Sequence, residues 1–491
     1  MKRWPLFWAV ISACLPGLLS GWAGAQPPES TLGQAVSLKT PAQENHKPSA
    51  GLTLDKLLEQ VRAHHPKLLS ADLERRIAAA KLLEKQGAFD PSVSLETDYL
   101  RYNDFVTRGK TSKAFDNDLS LNWLTRSGLR LSSGARYNAG DVKPPLYPTG
   151  DAGEYFVGIK MPLLRGFRIN EKLAAELQAQ IGIPAADAAY EQTRLSLLLQ
   201  AAYAYWDWVI AQRKVGVSQS ILALSQTRSQ AIQERVDKGD APAMDAVEAR
   251  QEVVRREGFW TKANRDYEKQ ALKLSRYLWE PQGSPAPAPQ ANGVPAQSPQ
   301  LTPFDDDDWM AGRQTALENR PELKALNLEK ETTVIDLKLA KNQRLPIMDI
   351  FAAPGYDMGG QSVGPTLKAG VALLVPLRQR TADGMIAAAK YKLQKLDLDQ
   401  RLLLQQILLE VDDAVSAIQA AYRQYEAARQ EYQFAQQLEQ GERDRFDYGD
   451  STLFLVNQRE RATADAAIKL LDLEAEYHQA LAYFKAVTGV L

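Results

Sequence analysis

The chain has 491 residues, with 59 Lys and Arg against 60 Asp and Glu and a formal net charge of −1, so it offers no electrostatic footprint for nucleic acid. Charged residues make up 24% and hydrophobic residues 45%, as in ordinary folded proteins. Past the N-terminus no apolar run reaches the ~18 residues that a transmembrane helix needs.

The N-terminus stands apart. Lys2 and Arg3 precede "WPLFWAVISACLPGLLSGW", and "AGA" follows at Ala23–Ala25. A basic region, an apolar region and a small-x-small site are the three parts of a secretory signal peptide, here 1–25. Pro5, Pro16 and Gly17 interrupt the rival reading, a buried helix. "ISAC" at Ile11–Cys14 also resembles a lipoprotein box that would place a lipid on Cys14. Few residues precede that cysteine and the apolar run continues past it, so cleavage after Ala25 is preferred. Cys14 is the single cysteine. An exported chain without it is held by packing or by assembly, not by disulfides.

Residues 26–50, rich in Pro, Ser and Gln, read as disordered. Helical patterning begins near Leu52. Four alternating segments follow, at 91–101, 117–125, 128–138 and 154–163. In the first, Val93, Leu95, Thr97 and Tyr99 share one face; in the second, Leu119, Leu121 and Trp123 do. The tight "TRSG" joins the second to the third, while the loops at 102–114 and 139–153 are longer and polar. Pro162 and Gly166 end the fourth strand, and a long helical stretch follows as far as the turn at Lys238–Pro242. The segment 281–303, "PQGSPAPAPQANGVPAQSPQLTP", reads as a linker in extended or polyproline form. After it, "FDDDDW" reads as the acidic start of a helix. Strands are expected at 346–357 and 366–376, ending at Pro376. A long helix then carries Leu404, Leu408, Val411, Val415, Ile418, Tyr422 and Tyr425 at alternating spacings of four and three, a coiled-coil seam. It turns back at Tyr448–Thr452.

The two halves repeat one another. "HPKLLSADLERRIAAAKLLEKQGAFDPSVSLE" from His65 parallels "RPELKALNLEKETTVIDLKLAKNQRLPIMDIF" from Arg320, with Pro66 on Pro321 and Pro91 on Pro346 in one ungapped register. Later Pro162 matches Pro376, and Gly239 in "VDKGDAPAMDAVEARQ" matches Gly449 in "FDYGDSTLFLVNQRER". Repeat boundaries of 51–280 and 304–491 follow.

Apolar-out, polar-in strands of about ten residues are the mark of an outer-membrane barrel, yet a half-buried soluble sheet has the same period. The helices separate the two. At about 1.5 Å per residue, about 55 helical residues span roughly 80 Å, more than the core of a compact domain. Such helices must lie along others, as a bundle or a tubular wall. Short strands then cross a bilayer and long helices cross a wide aqueous space. "MPLLRGF" is where the chain passes between the two media, with Arg165 and Arg168 at headgroup level.

The order of these features resembles the TolC-type outer-membrane efflux family over residues 52–491. It rests on the internal repeat, on "MPLLRGF" closing a strand, on Gly449 followed by "FLVNQRERATADAA", and on the terminal "LAYFKAVTGVL". The resemblance implies a mostly α fold with a transmembrane β part. Long coiled-coil helices would form a periplasmic α-barrel, and short strands would contribute to one outer-membrane β-barrel shared by a homotrimer. It implies a passive conduit from periplasm to exterior in a tripartite efflux or type I secretion system. The partners would be a periplasmic adaptor (membrane fusion) protein, an inner-membrane RND or ABC transporter, and outer-membrane lipid, with no cofactor. The periplasmic entrance would lie at the turns around Gly239 and Gly449, where acids can ring the pore and select cations. Asp240, Asp245 and Glu248 fit that role, while Leu455 and Gln458 stand where the second repeat would carry acids. Asp447, Asp450 and Arg445 are the alternatives. The hairpin from 115 to 138 exceeds the family's usual two strands in this half, so twelve and eighteen strands in the barrel both stand open.

Two rivals are weaker. An enzyme would need a constellation that is missing: His46, His64, His65 and His478 have no metal-ligand spacing, with His64 and His65 read as a solvated pair, and no phosphate loop or nucleophile elbow occurs. A purely structural periplasmic or cell-surface coiled coil explains the helices and the leader, but not alternating segments placed symmetrically about the repeats.

Overall fold

Pro66 and Pro321 each open a helix, at a position where a missing N–H costs nothing because it has no intrahelical acceptor. The computed structural model describes residues 51–103, 111–142, 148–295, 298–359 and 364–491. The leader with Cys14, the segment 26–50, and residues 104–110 and 143–147 of the two polar loops lie outside the described residues. In chain order the elements are α1 (Leu54–His64), α2 (Pro66–Gln86), β1 (Ser92–Asn103), β2 (Thr111–Leu124), β3 (Arg130–Gly140), β4 (Gly153–Pro162), α3 (Glu171–Asp237), α4 (Ala243–Ser275), α5 (Asp306–Asn319), α6 (Pro321–Gln343), β5 (Ile347–Met358), β6 (Gly364–Leu374), α7 (Arg380–Asp447) and α8 (Leu453–Val487).

The strands form one antiparallel sheet in the order β1-β2-β3-β4-β5-β6. The β4–β5 pairing, with Tyr155 opposite Tyr356, joins the two repeats. β2 begins at Thr111, ahead of the 117 that alternation marks, because "TSKAFD" lacks apolar alternation and is held by the backbone ladder to β1 instead. β3 begins at Arg130 rather than 128, since Thr125–Leu129 is the turn: the Thr125 N–H donates to Leu129 O at 2.8 Å, and Gly128 has φ 84°. β6 ends at Leu374, so Pro376 lies in the connection to α7.

The ladder places every alternating apolar set on one face. Val93 is opposite Leu121, Leu95 opposite Leu119, Leu131 opposite Ile159, and Ile350 opposite Val371. These side chains are exposed: Leu95 is 70% and Leu367 71% accessible. The other face is polar. There Glu96 faces Asp118 and Asp98 faces Asp116, like-charge pairs that destabilise a sheet unless water bathes them.

The hairpin turn and the bend after β4 meet where sheet becomes helix. A Cβ on Gly128 would lie 2.4 Å from Gly166 O, so only glycine allows this approach. Arg126 in the turn makes a bidentate pair with Glu176 of α3 at 2.7 and 2.8 Å. That contact, with the Arg126 charge, holds the Glu176 carboxyl below its usual range. The Gly166 N–H donates to Asn342 Oδ1 of α6 at 2.8 Å, and Trp123 Nε1 donates to Phe89 O at 3.0 Å.

Helices α3 and α7, of 67 and 68 residues, are each about 100 Å long at about 1.5 Å per residue. α7 packs on α8 and α6, and α3 packs on α4, α2, α6 and α8. Of the expected α7 seam, Val411, Val415 and Ile418 are fully buried. Beside them Ile407, Ala414, Ala421 and Ala428 form a second buried row at heptad spacing, which lets a neighbouring helix approach closely. One core gathers Leu57, Val61, Leu198, Trp206, Trp208 and Leu274. A second gathers Ala316, Leu323, Ile407, Val411 and Val487.

The segment between the repeats is packed against the helices, and the reading of His65 is corrected. The described part of 281–303 is not a free linker: the Leu52 N–H donates to Gly293 O at 2.7 Å, Tyr477 OH donates to Thr302 O at 2.8 Å, and Ala286 and Val294 pack on the first core. His65 is not simply solvated; its Nδ1 accepts from the Lys67 N–H at 3.1 Å as the cap of α2, and its ring lies near Tyr277 and Trp279.

His478 of α8 stacks on Trp206 of α3 at 3.9 Å, almost fully buried. Burial, with the nearby Arg213 charge, pushes its pKa down to about 4. A folded pKa below the ordinary ~6.5 means that the neutral ring contributes stability above ~6.5, which is lost as pH falls toward the folded value. His478→Phe should therefore keep the stack and flatten the stability-versus-pH curve between about pH 6.5 and 5. Thermal melts of both proteins across that range, at one protein concentration, check it.

Candidate functional site

The two helical hairpins reverse through the same backbone motif. Gly239 and Gly449 both have φ 82°. Their N–H groups donate to Val236 O and Phe446 O at 3.0 Å, and the next residues, Asp240 and Asp450, donate to Arg235 O and Arg445 O at 2.8 Å. These paired bonds satisfy the last carbonyls of α3 and α7 and need a left-handed residue between them, hence glycine. Nothing lies within 4 Å of a Cβ at either position, so the requirement is purely one of backbone. The return helices start differently. Thr452 caps α8 by accepting from the Leu455 N–H at 3.4 Å. Pro242 has no capping side chain, and Asp245 supplies negative charge to the first turn of α4.

Five of the six tip candidates fall into two groups. Asp240, Asp447 and Asp450 are exposed at the turns, where Arg445 Nε meets Asp450 Oδ2 at 3.3 Å. Asp245 and Glu248 are half-covered, because their neighbours Ala246 and Ala249 pack with Ile232 and Leu453 into a small core between the hairpins. Asn457 Nδ2 of α8 reaches Glu248 Oε1 at 3.5 Å. Leu455 is exposed beside buried Leu453 and Val456.

Just inside the turns lies an ion network that patterning passed over. Glu252 and Arg256 of α4 and Glu460 of α8 are almost completely buried. Arg256 donates to Glu252 at 2.9 Å and to Glu460 at 2.7 Å. Arg228 of α3 also pairs with Glu460, Arg461 of α8 pairs with Glu252 at 2.7 Å, and Arg443 of α7 reaches Glu460 at 3.1 Å. Four helices thus share two buried carboxylates. Burial pushes the Glu460 carboxyl up, but Arg228 and Arg256 outweigh it and hold it below the usual range. Burial also lowers Arg256, against the pull of Glu460. A cleft of about 590 Å³ opens beside the network between α3, α4 and α8, lined in part by Asp207, Lys214, Phe259, Asp266 and Asp465. The signal in the sequence was present as "EVVRRE", with Glu252 and Arg256 one turn apart, and as "NQRERA", with Glu460 between two arginines; periodicity does not say that such charges face inward.

Among the described residues no group of three or more His, Cys, Asp or Glu is placed to hold a metal ion, and no helix is long and apolar enough to cross a membrane. Paired helices of this length, fused to a sheet with one apolar face, fit an outer-membrane protein. The chain belongs to the outer membrane efflux protein family, whose model matches residues 57–278 and 312–490, one match in each repeat. Its fold is shared with the outer membrane channel CmeC of Campylobacter jejuni, at 14% identity and TM-score 0.66 over 94% of each chain. It is shared also with the open MtrE channel of Neisseria gonorrhoeae, at 15% identity and TM-score 0.66 over 94% of this chain and 98% of that one. VceC of Vibrio cholerae matches at 16% identity and TM-score 0.64, over 89% and 96%. Comparison with curated protein sequences gives no match. The protein accordingly lies in the outer membrane, with its helical part in the periplasm, and belongs to a family of channels rather than enzymes.

Glu460→Gln leaves Arg256 buried with less compensation and should cost about 3–5 kcal/mol of stability. Because the Glu460 carboxyl is held down, its contribution should also fade as pH drops below about 4. Thermal unfolding followed by circular dichroism in one detergent, at one protein concentration, measures both. A variant as stable as the parent at neutral pH would contradict this assignment.

Proposed function

We propose that three copies of this chain form the channel-tunnel of a tripartite efflux or type I secretion system, a passive conduit from periplasm to exterior. The partners are a periplasmic adaptor protein and an inner-membrane transporter of the RND or ABC class. The observation that carries this reading is the open sheet: among the described residues β1 and β6 have no neighbour beyond them, and the apolar face runs to both edges. In lipid an unpaired backbone group costs several kcal/mol, so such edges close only against other copies. The long helices support the same conclusion, since Leu402, Phe434 and Leu438 of α7 lie exposed on a single chain. Mass measurement in mild detergent and conductance in planar bilayers test the proposal. A trimer that conducts is expected; a stable monomer without conductance would favour a purely structural coiled-coil protein.

The helix turns at Gly239 and Gly449 form the periplasmic entrance in this reading, and their acids set its charge. With three chains, Asp245 and Glu248 place six carboxylates near one opening, together with Asp240, Asp447 and Asp450; converging like charges attract cations and repel anions. Asp245→Ala with Glu248→Ala should lower the cation-to-anion permeability ratio, and Leu455→Asp should raise it. Unchanged selectivity in the double variant would return those two acids to the role of helix-start residues and move the gate to Asp447, Asp450 and Arg445.

A further inference from the structure

We propose that three chains close a single eighteen-stranded barrel, with β1 of each pairing with β6 of the next, so that the β2–β3 hairpin is wall rather than appendage. The inference rests on the trimer proposed above and adds to it the number of strands each chain supplies.

Four observations carry it. First, the hairpin separates the strands that a four-stranded contribution would need side by side. β1 is in register with β2 from Ser92↔Asn122 to Asn103↔Thr111, β2 with β3 from Ala114↔Gly140 to Leu124↔Arg130, and β3 with β4 from Arg130↔Lys160 to Arg136↔Glu154. A wall of β1-β4-β5-β6 would dissolve the first and last of these ladders. Second, the apolar face continues across the hairpin, interrupted by Asn117 and Ser133. Leu119, Leu121 and Trp123 of β2 are 41%, 47% and 45% exposed and lie level with Leu95 and Val93 of β1. Outside the wall, that surface would face water. Third, the polar face is also continuous through the hairpin. Arg136 of β3 pairs with Asp118 of β2 at 3.3 Å and with Glu154 of β4 at 3.1 Å, and Glu154 accepts from Thr366 of β6 at 2.6 Å. Fourth, the periplasmic end of the hairpin is fixed in the junction. Arg126 is bound to Glu176, and Gly128 lies against Gly166 at the bend after β4.

Parity agrees. Six strands alternate in direction, so β6 of one chain and β1 of the next meet antiparallel, as in every pairing already present. With strands about 4.8 Å apart and tilted about 40°, the backbone radius is about 18 Å for eighteen strands, against about 12 Å for twelve. The outlet is then about twice the cross-section of a twelve-stranded one by the same geometry, and the size limit for cargo falls at the helical end.

Electron cryo-microscopy of the unmodified protein in nanodiscs counts the strands directly. Eighteen strands at about 18 Å radius are expected. A trimer with twelve, and β2–β3 outside the wall, overturns this proposal alone; a particle that is not a trimer overturns the proposed assembly and the number eighteen with it. Fluorophores on Leu119→Cys and Leu121→Cys give a second readout in liposomes. Quenching by brominated lipid comparable to that at Leu95→Cys is the expected result. Fluorophores open to aqueous iodide and untouched by brominated lipid would place β2 outside the membrane wall and overturn the proposal.

Discussion

Backbone hydrogen bonding in a medium without water is the constraint on which the rest of this structure depends. A sheet whose outer face is Val93, Leu95, Leu121, Ile159, Val371 and Leu373 belongs in lipid, and in lipid every strand needs a partner on both sides. The internal pairings give β2 through β5 a partner strand on both sides and leave β1 and β6 with one each among the described residues. Monomer stability, chain count and barrel size are all consequences of how those two edges are completed. In the proposed assembly the helices follow from the same requirement, because a barrel shared among chains brings the long helices of all of them into one wall.

The junction between sheet and helices is built for exact placement rather than mobility. Gly128 is glycine because its backbone passes against Gly166 O, Gly166 because its φ is 90°, and the Arg126–Glu176 pair is buried on the carboxylate side. At the far end, the turns at Gly239 and Gly449 are exposed, and the charges behind them are not. Glu252 and Glu460, each shared among arginines, lock four helices at a fixed level above the turns. Buried ion pairs add little net stability over an apolar core, but removing one partner is costly, so they specify one arrangement of the helices.

The sequence revealed those parts of the fold in which physics writes a period. The strands appear as alternation and the α7 seam as spacings of four and three, and the prolines and glycines mark the same joints in both halves. Legibility failed where burial is not apolar. The start of β2 at "TSKAFD" is held by backbone bonds that no side-chain pattern reports. The alanine row of α7 looks like filler until a neighbouring helix is seen against it. Ala286 and Val294 stand in a segment with the composition of a linker yet pack against a core. At the tip, the glycines were readable because their φ is forced, whereas Glu252, Arg256 and Glu460 look like solvated helix charges. Only the packing of α3, α4, α7 and α8 around them shows that they face inward.

Oxidative cross-linking between edge strands tests the central claim most directly. Single cysteines paired across Leu95 on β1 and each of Leu367, Ala369 and Val371 on β6, in protein embedded in membranes, report which strand lies beside which. The account predicts covalent dimers and trimers on a denaturing gel for at least one pairing, through β1 of one chain and β6 of another. Cross-links confined to single chains, or none at any of the three pairings, would contradict it.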